Sequence, residues 1–378
     1  MAFAGVVCAG HAVRHIQPYR TTHVRCARQR QRRQTAIKQI RGIYGGVPRE
    51  VVDRGQSLAD LGVNAIFVGA NGVDASAIEF AADQGVKLFA EFNTLHIRDF
   101  LTGHPDAAPV GPDGQVSPPP HDWQGICPTH QAYREWRMHE FRRVLAEYPV
   151  SGMWLDYLHS HSSWERADPV LPDTCFCDRC LSLFQSQTGV APAGTTTPEK
   201  SAWLLRGGNP SWVRWRCDVL TDWAREFRAI IDATRPGALL GTFHCPWADE
   251  DFDGARIKKL HIDLQSHAKY IDVFSPMPYH ARFGHAADPE WIRRQTRWLG
   301  EHLAIRGESG ERHKIWPIVQ VTEWGEEVPV AQVHEVIEHG LAAPSTGVMV
   351  FAWSKLKSEP GKISEMADVY RRVAAQAT

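Results

Sequence analysis

Val150-Ser-Gly-Met-Trp-Leu-Asp-Tyr157 is the stretch on which the fold turns. An apolar run of this length reads as a strand buried on both faces, the habit of a parallel sheet, and it stops at an acid. Outward from it, short β-rich runs alternate with longer amphipathic ones from Ile40 to the end of the chain. The pattern predicts strands at 40–45, 64–69, 87–93, 150–157, 239–244, 272–276, 315–322 and 347–353. Helices are predicted at 50–61, 75–84, 130–147, 211–234, 255–268, 288–302, 330–339 and 363–374. Eight strand-helix units in series predict an α/β fold, a (β/α)8 TIM barrel with long insertions after strands 3 and 4. The insertions are 102–123 and 159–210, both at C-terminal strand ends, where barrel enzymes build their active sites. The rival, a doubly wound open sheet, asks for a glycine-rich phosphate loop, and Gly42-Ile-Tyr-Gly-Gly46 has neither that spacing nor a Walker lysine.

The 378 residues carry 42 Lys and Arg against 43 Asp and Glu, with 43% hydrophobic content, enough for a sizeable core. No apolar run approaches the roughly 18 residues of a membrane span, so no membrane partner is expected. Residues 1–49 hold ten basic groups and no acid, leaving 32 basic and 43 acidic groups beyond them, a net of −11. An acidic folded part disfavours nucleic acid as a partner. The basic leader lacks the charge pattern of a secretory signal, which points to the cytoplasm. It is similar to a mitochondrial transit peptide if the source is eukaryotic; the plainer readings are a disordered tail or sequence from an upstream start. Residues 1–37 are therefore set apart from a single barrel over 38–378.

Cys175-Phe-Cys177-Asp-Arg-Cys180, with Cys127 upstream, has the spacing of a closed tetrahedral thiolate site that would hold structural zinc. Reduced thiols, or a disulfide with spare cysteines, are the alternatives. Cys8, Cys26, Cys217 and Cys245 read as tail or core residues.

The run from Cys127 through Tyr133 and Arg134, then Val150 to Asp156, then Cys175 to Cys180 and Phe184, resembles the hypothetical glycosyl hydrolase 6 family. Its thiols are also similar to those of family 42 β-galactosidases, in which the matching cysteines hold zinc. The resemblance implies a glycosidase with a carbohydrate substrate and no organic cofactor. It breaks at strand four, where those galactosidases have Asn-Glu and this chain has Asp156-Tyr157, so galactose specificity and their acid/base residue do not carry over.

Glycoside hydrolysis needs two facing carboxyl groups. Asp156, closing strand four, is expected as nucleophile, and Glu323, after strand seven, as acid/base with retention of configuration. Glu91 competes for the second role, since strand alternation alone does not say whether its face points inward. Loop acids such as Glu165 and Asp249 are further candidates. Tyr157, His159, His244, Trp247, Tyr279, His280, Gln320, Trp324 and Trp353 sit at or near strand ends and are read as sugar-binding groups. Two other readings stand beside the glycosidase. A noncatalytic carbohydrate-binding barrel needs no second acid. A metal-dependent amidohydrolase would use His244 and His280, although strand one lacks His-x-His.

Overall fold

The computed structural model describes residues 39–206 and 210–376. The basic leader, with Cys8 and Cys26, lies outside them. Nine strands run parallel: β1 Ile40–Tyr44, β2 Ala65–Gly69, β3 Lys87–Asn93, β4 Gly152–Asp156, β5 Leu239–His244, β6 Val273–Pro276, β7 Lys314–Ile315, β8 Ile318–Gln320 and β9 Gly347–Phe351. Their order is β7-β6-β5-β4-β3-β2-β1-β9-β8. The two ends of this sheet are halves of one predicted strand, 315–322, divided at Trp316-Pro317. Proline has no N–H to donate, so the ladder changes partner there. Trp316 N–H donates to Phe274 O on the β6 side at 3.0 Å, while Pro317 O accepts from Met349 N–H on the β9 side at 2.9 Å. The sheet thereby curls into a TIM-barrel-like cylinder covered by helices.

Period-two alternation sends Gly152, Trp154 and Asp156 to one face of β4. That face is the interior, because Trp154 meets Phe89 at 4.7 Å and Phe67 at 5.0 Å between ring centroids, and its indole N–H donates to Ser275 Oγ at 3.0 Å. Since Phe89 points inward, so does Glu91, which settles the face left open by the sequence. Trp154 fits because β5 offers Gly241 beside it: a Cβ there would fall inside the indole. Gly241→Ala is expected to lower unfolding free energy by about 1–3 kcal/mol, read by denaturant titration.

Outside the barrel, helix Gln131–Glu147 packs on Pro210–Thr234, and Val330–Leu341 on Pro360–Gln376. The predicted helix 255–268 is broken into Ala255–Lys258 and Leu264–His267, because the chain turns through His261 (φ 58°) and Ile262 O accepts from the buried Arg256 guanidinium at 2.8 Å. The insertion after β4 carries helices Asp178–Thr188 and Thr197–Leu205. Phe176, Phe184, Leu204, Trp212 and Trp215 gather there with cysteines in a second apolar cluster. No helix among the described residues is long and apolar enough to cross a membrane.

Candidate active site and thiol cluster

At the C-terminal mouth of the barrel lies a cavity of about 190 Å³. Asp156, Tyr157, Glu165, Tyr279 and Trp324 line it, with Tyr44, Trp123, Phe243, Met277, Ile318 and Phe351. Strand ends supply most of this wall. Trp123 comes from the insertion after β3, and Glu165 from the one after β4, folded back over the mouth.

Beneath the cavity floor Glu91 and Asp156 are hydrogen-bonded to one another. Two carboxyl groups in contact make that bond only by sharing a proton. Burial, then the charges of Glu91 and Glu165, push Asp156 well above the usual carboxylate range, so within the pair it is Asp156 that keeps the shared proton. Glu91 is raised less, by burial, and stays the acceptor; the Tyr44 hydroxyl donates to its Oε2 at 2.9 Å. Tyr157 N–H donates to Asp156 Oδ1 at 2.9 Å. Tyr157 itself sits at φ 54°, a left-handed conformation uncommon for a bulky residue, which turns its ring into the cavity mouth. Burial lifts Glu165 to about 7, with Arg282 working against the rise and Glu91 adding to it.

Glu323 does not reach this cavity. Partial burial opposes its ionisation, yet the Lys362 ammonium at 2.6 Å and Val328 N–H at 3.3 Å hold it below its ordinary range. Glu323 thus does not line the cavity with Asp156, and the shifts run opposite to the expected roles: Asp156 is raised, while Glu323 is lowered as the partner of Lys362 on the last helix. Asp249 is taken by Arg256 and lies 3.5 Å from His302 Nδ1.

Several residues expected to bind sugar are spent on holding loops. The Trp164 indole N–H donates to His159 Nε2 at 2.9 Å, leaving Nδ1–H for Ser160 O at 2.8 Å. Gln320 is fully buried and accepts from Arg282 N–H at 3.0 Å. His280 Nε2 is bonded to Gln332 Oε1 at 3.0 Å, and the Trp353 indole N–H donates to Glu50 at 3.1 Å. His244 is buried with Nδ1 on Cys245 O at 2.8 Å, and burial takes it down to about 3. Trp247 is buried against Trp164 and Phe252. Neither His244 nor His280 joins a cluster of three potential metal ligands among the described residues. Tyr44, Phe243 and Phe351, which were not foreseen, follow the same strand-end rule as Asp156; Trp123 had no local signal.

Cys127, Cys175, Cys177 and Cys180 are unpaired thiols whose sulfurs all lie within 4.8 Å of one another. Cys127 Sγ is 3.7 Å from Cys177 Sγ and 3.6 Å from Cys180 Sγ. A tetrahedral ion with bonds of about 2.3 Å sets its ligands about 3.8 Å apart, so the cluster has the dimensions to hold a metal ion. Hydrogen bonds from the other three thiols lower Cys127 well below the ordinary thiol range. Val110 N–H donates to Cys175 Sγ at 3.2 Å, and the Arg216 guanidinium to Cys180 Sγ at 3.7 Å, an outer shell suited to anionic sulfur. Cys217 and Cys245 are buried core residues.

No protein-family model and no curated protein sequence matches the chain. Solved structures do. The glycoside hydrolase domain of PgaB (BpsB) from Bordetella bronchiseptica superposes with a TM-score of 0.65 at 12% identity, over 88% of this chain and 99% of that one. The chain shares the fold of that domain. A β-galactosidase from the Antarctic haloarchaeon Halorubrum lacusprofundi gives a TM-score of 0.61 at 15% identity, covering 89% of this chain and 57% of its own. A catalytic mutant of Gan42B, a GH42 β-galactosidase from G. stearothermophilus, gives 0.56 at 15% identity, with 89% and 57% covered. The chain thus matches a little over half of each β-galactosidase.

Proposed function

We propose that the protein is a glycoside hydrolase that cleaves its bond in the cavity at the barrel mouth. One observation carries the reading. Two carboxyl groups in different environments, Asp156 pushed well above the usual carboxylate range and Glu165 lifted to about 7, line one aromatic-walled cavity at the C-terminal strand ends. Asp156 is the general acid: its proton passes to the glycosidic oxygen, and the Glu91 carboxylate behind it, held by Tyr44, keeps Asp156 protonated until the substrate takes the proton. Glu165 is the opposing carboxylate, acting as nucleophile or as base on water. Glu91 is too close to Asp156 to be that partner, since opposed carboxyl groups stand about 5 Å or more apart. Tyr157, Tyr279, Trp123 and Trp324 supply ring faces for the sugar.

The test is a broad glycoside and polysaccharide screen with product analysis. Release of a sugar supports the reading. Saccharide binding at the mouth without any release supports the noncatalytic barrel instead.

The thiol cluster is proposed as a structural zinc site, closed by four sulfurs, which ties the segment at Cys127 to the insertion at 175–180. Elemental analysis is expected to give about one zinc per chain, lost in Cys177→Ser and Cys180→Ser. Melting temperature falls with the metal, because metal binding contributes to folding free energy. A metal-free protein as stable as the native one contradicts the assignment.

A further inference from the structure

The charge of the cavity says something about its ligand that the two-acid scheme alone does not. Among the described residues its lining holds two carboxyl groups and a wall of tyrosine and tryptophan, and no lysine, arginine or histidine. A third carboxyl group, Glu91, lies directly behind Asp156. The guanidinium whose charge reaches Glu165, Arg282, does not line the space. It stacks on Trp324 at 4.6 Å and is committed to Glu326 Oε1 and Trp324 O, each at 2.9 Å.

The rings form two contacting pairs, the first tilted and the second edge-on. Trp123 and Tyr157 have centroids 5.3 Å apart, and Tyr279 and Trp324 6.1 Å. Aromatic faces with carboxylates behind them attract cations, most strongly where water is excluded. A metal ion is the poorer match. It needs converging ligands, and Glu91, Asp156 and Glu165 do not form a group of ligand atoms within 4.8 Å of one another. An ammonium group on a sugar ring, without demanding convergence, meets the single negative charge that the proton-sharing Asp156–Glu91 pair keeps, the ionised fraction of Glu165 and the ring wall. The cavity's volume of about 190 Å³ is below that of sites for drug-sized ligands and suits a single ring.

We propose that the sugar unit bound in the cavity is an amino sugar with a free, protonated amine. The proposal rests on the glycosidase reading of the cavity and names its substrate class. The experiment is calorimetric titration of the full chain at neutral pH and low salt. The probes are 2-amino-2-deoxyglucose and 2-amino-2-deoxygalactose, each beside its N-acetyl and its 2-hydroxy counterpart. The free amine is expected to bind at least about tenfold more tightly than either neutral form, with the ratio shrinking as salt is raised. The ratio also falls in Glu165→Gln, which keeps shape and removes charge. Neutral sugars binding as well as the amines overturn the amine requirement and leave the glycosidase reading intact. A preference untouched by both salt and Glu165→Gln also overturns it, since the amine then sits elsewhere. No affinity for any of these sugars, together with a blank glycoside screen, removes both.

Discussion

Asp156→Asn is expected to leave the barrel folded and to lower kcat/KM by on the order of 10²–10⁴-fold, the usual contribution of a positioned general acid. The carboxamide keeps the size of the carboxyl group, still accepts from Tyr157 N–H, and can donate to Glu91 in place of the lost proton. What disappears is the proton to be given to the leaving oxygen. Substrates with poor leaving groups should therefore suffer most, and activated aryl glycosides least. A loss equal for both would mean that Asp156 positions substrate and gives no proton.

The second large effect is in pH. Glu165 acts ionised, and with its midpoint at about 7, kcat/KM should climb as pH rises through that value. It should fall again at higher pH, where the Asp156–Glu91 pair loses its shared proton. Stability carries the opposite sign. In the unfolded chain Glu165 returns to about 4.3, so its raised folded value favours the native state only while it is protonated. Below that unfolded value native protein and Glu165→Gln should melt alike. Between about 4.3 and about 7 the native protein loses stability relative to the variant, and the gap levels off above. Thermal melts across that range read the difference, and a gap that narrows with rising pH contradicts the burial of Glu165.

The barrel was legible because parallel strands buried on both faces leave a simple mark, and β3 and β5 begin and end where the alternation predicts, at 87–93 and 239–244. Strand seven was less so, since a single proline decides which neighbour each half pairs with. The helix at 178–188 was hidden because its apolar side packs on the thiol cluster, and the sequence displays those residues as a metal motif first. The site shows the same division. Asp156 stood out because it closes an apolar strand, a local fact. Glu323 stood out for the same reason and is captured by Lys362, 39 residues downstream, which no local pattern encodes. Glu165 could be read only as one loop acid among several, since its return over the mouth depends on how the 159–210 insertion folds.

The acid/base assignment thus separates two glutamates that sequence alone ranks in the opposite order. Hydrolysis of one glycoside from the screen, measured side by side for the native protein, Glu165→Gln and Glu323→Gln, tests the account most directly. A loss of at least about 10²-fold is expected in Glu165→Gln. Near-native turnover is expected in Glu323→Gln, with some cost in stability from the lost Lys362 pair. Full activity in Glu165→Gln with collapse of turnover in a folded Glu323→Gln would contradict the assignment.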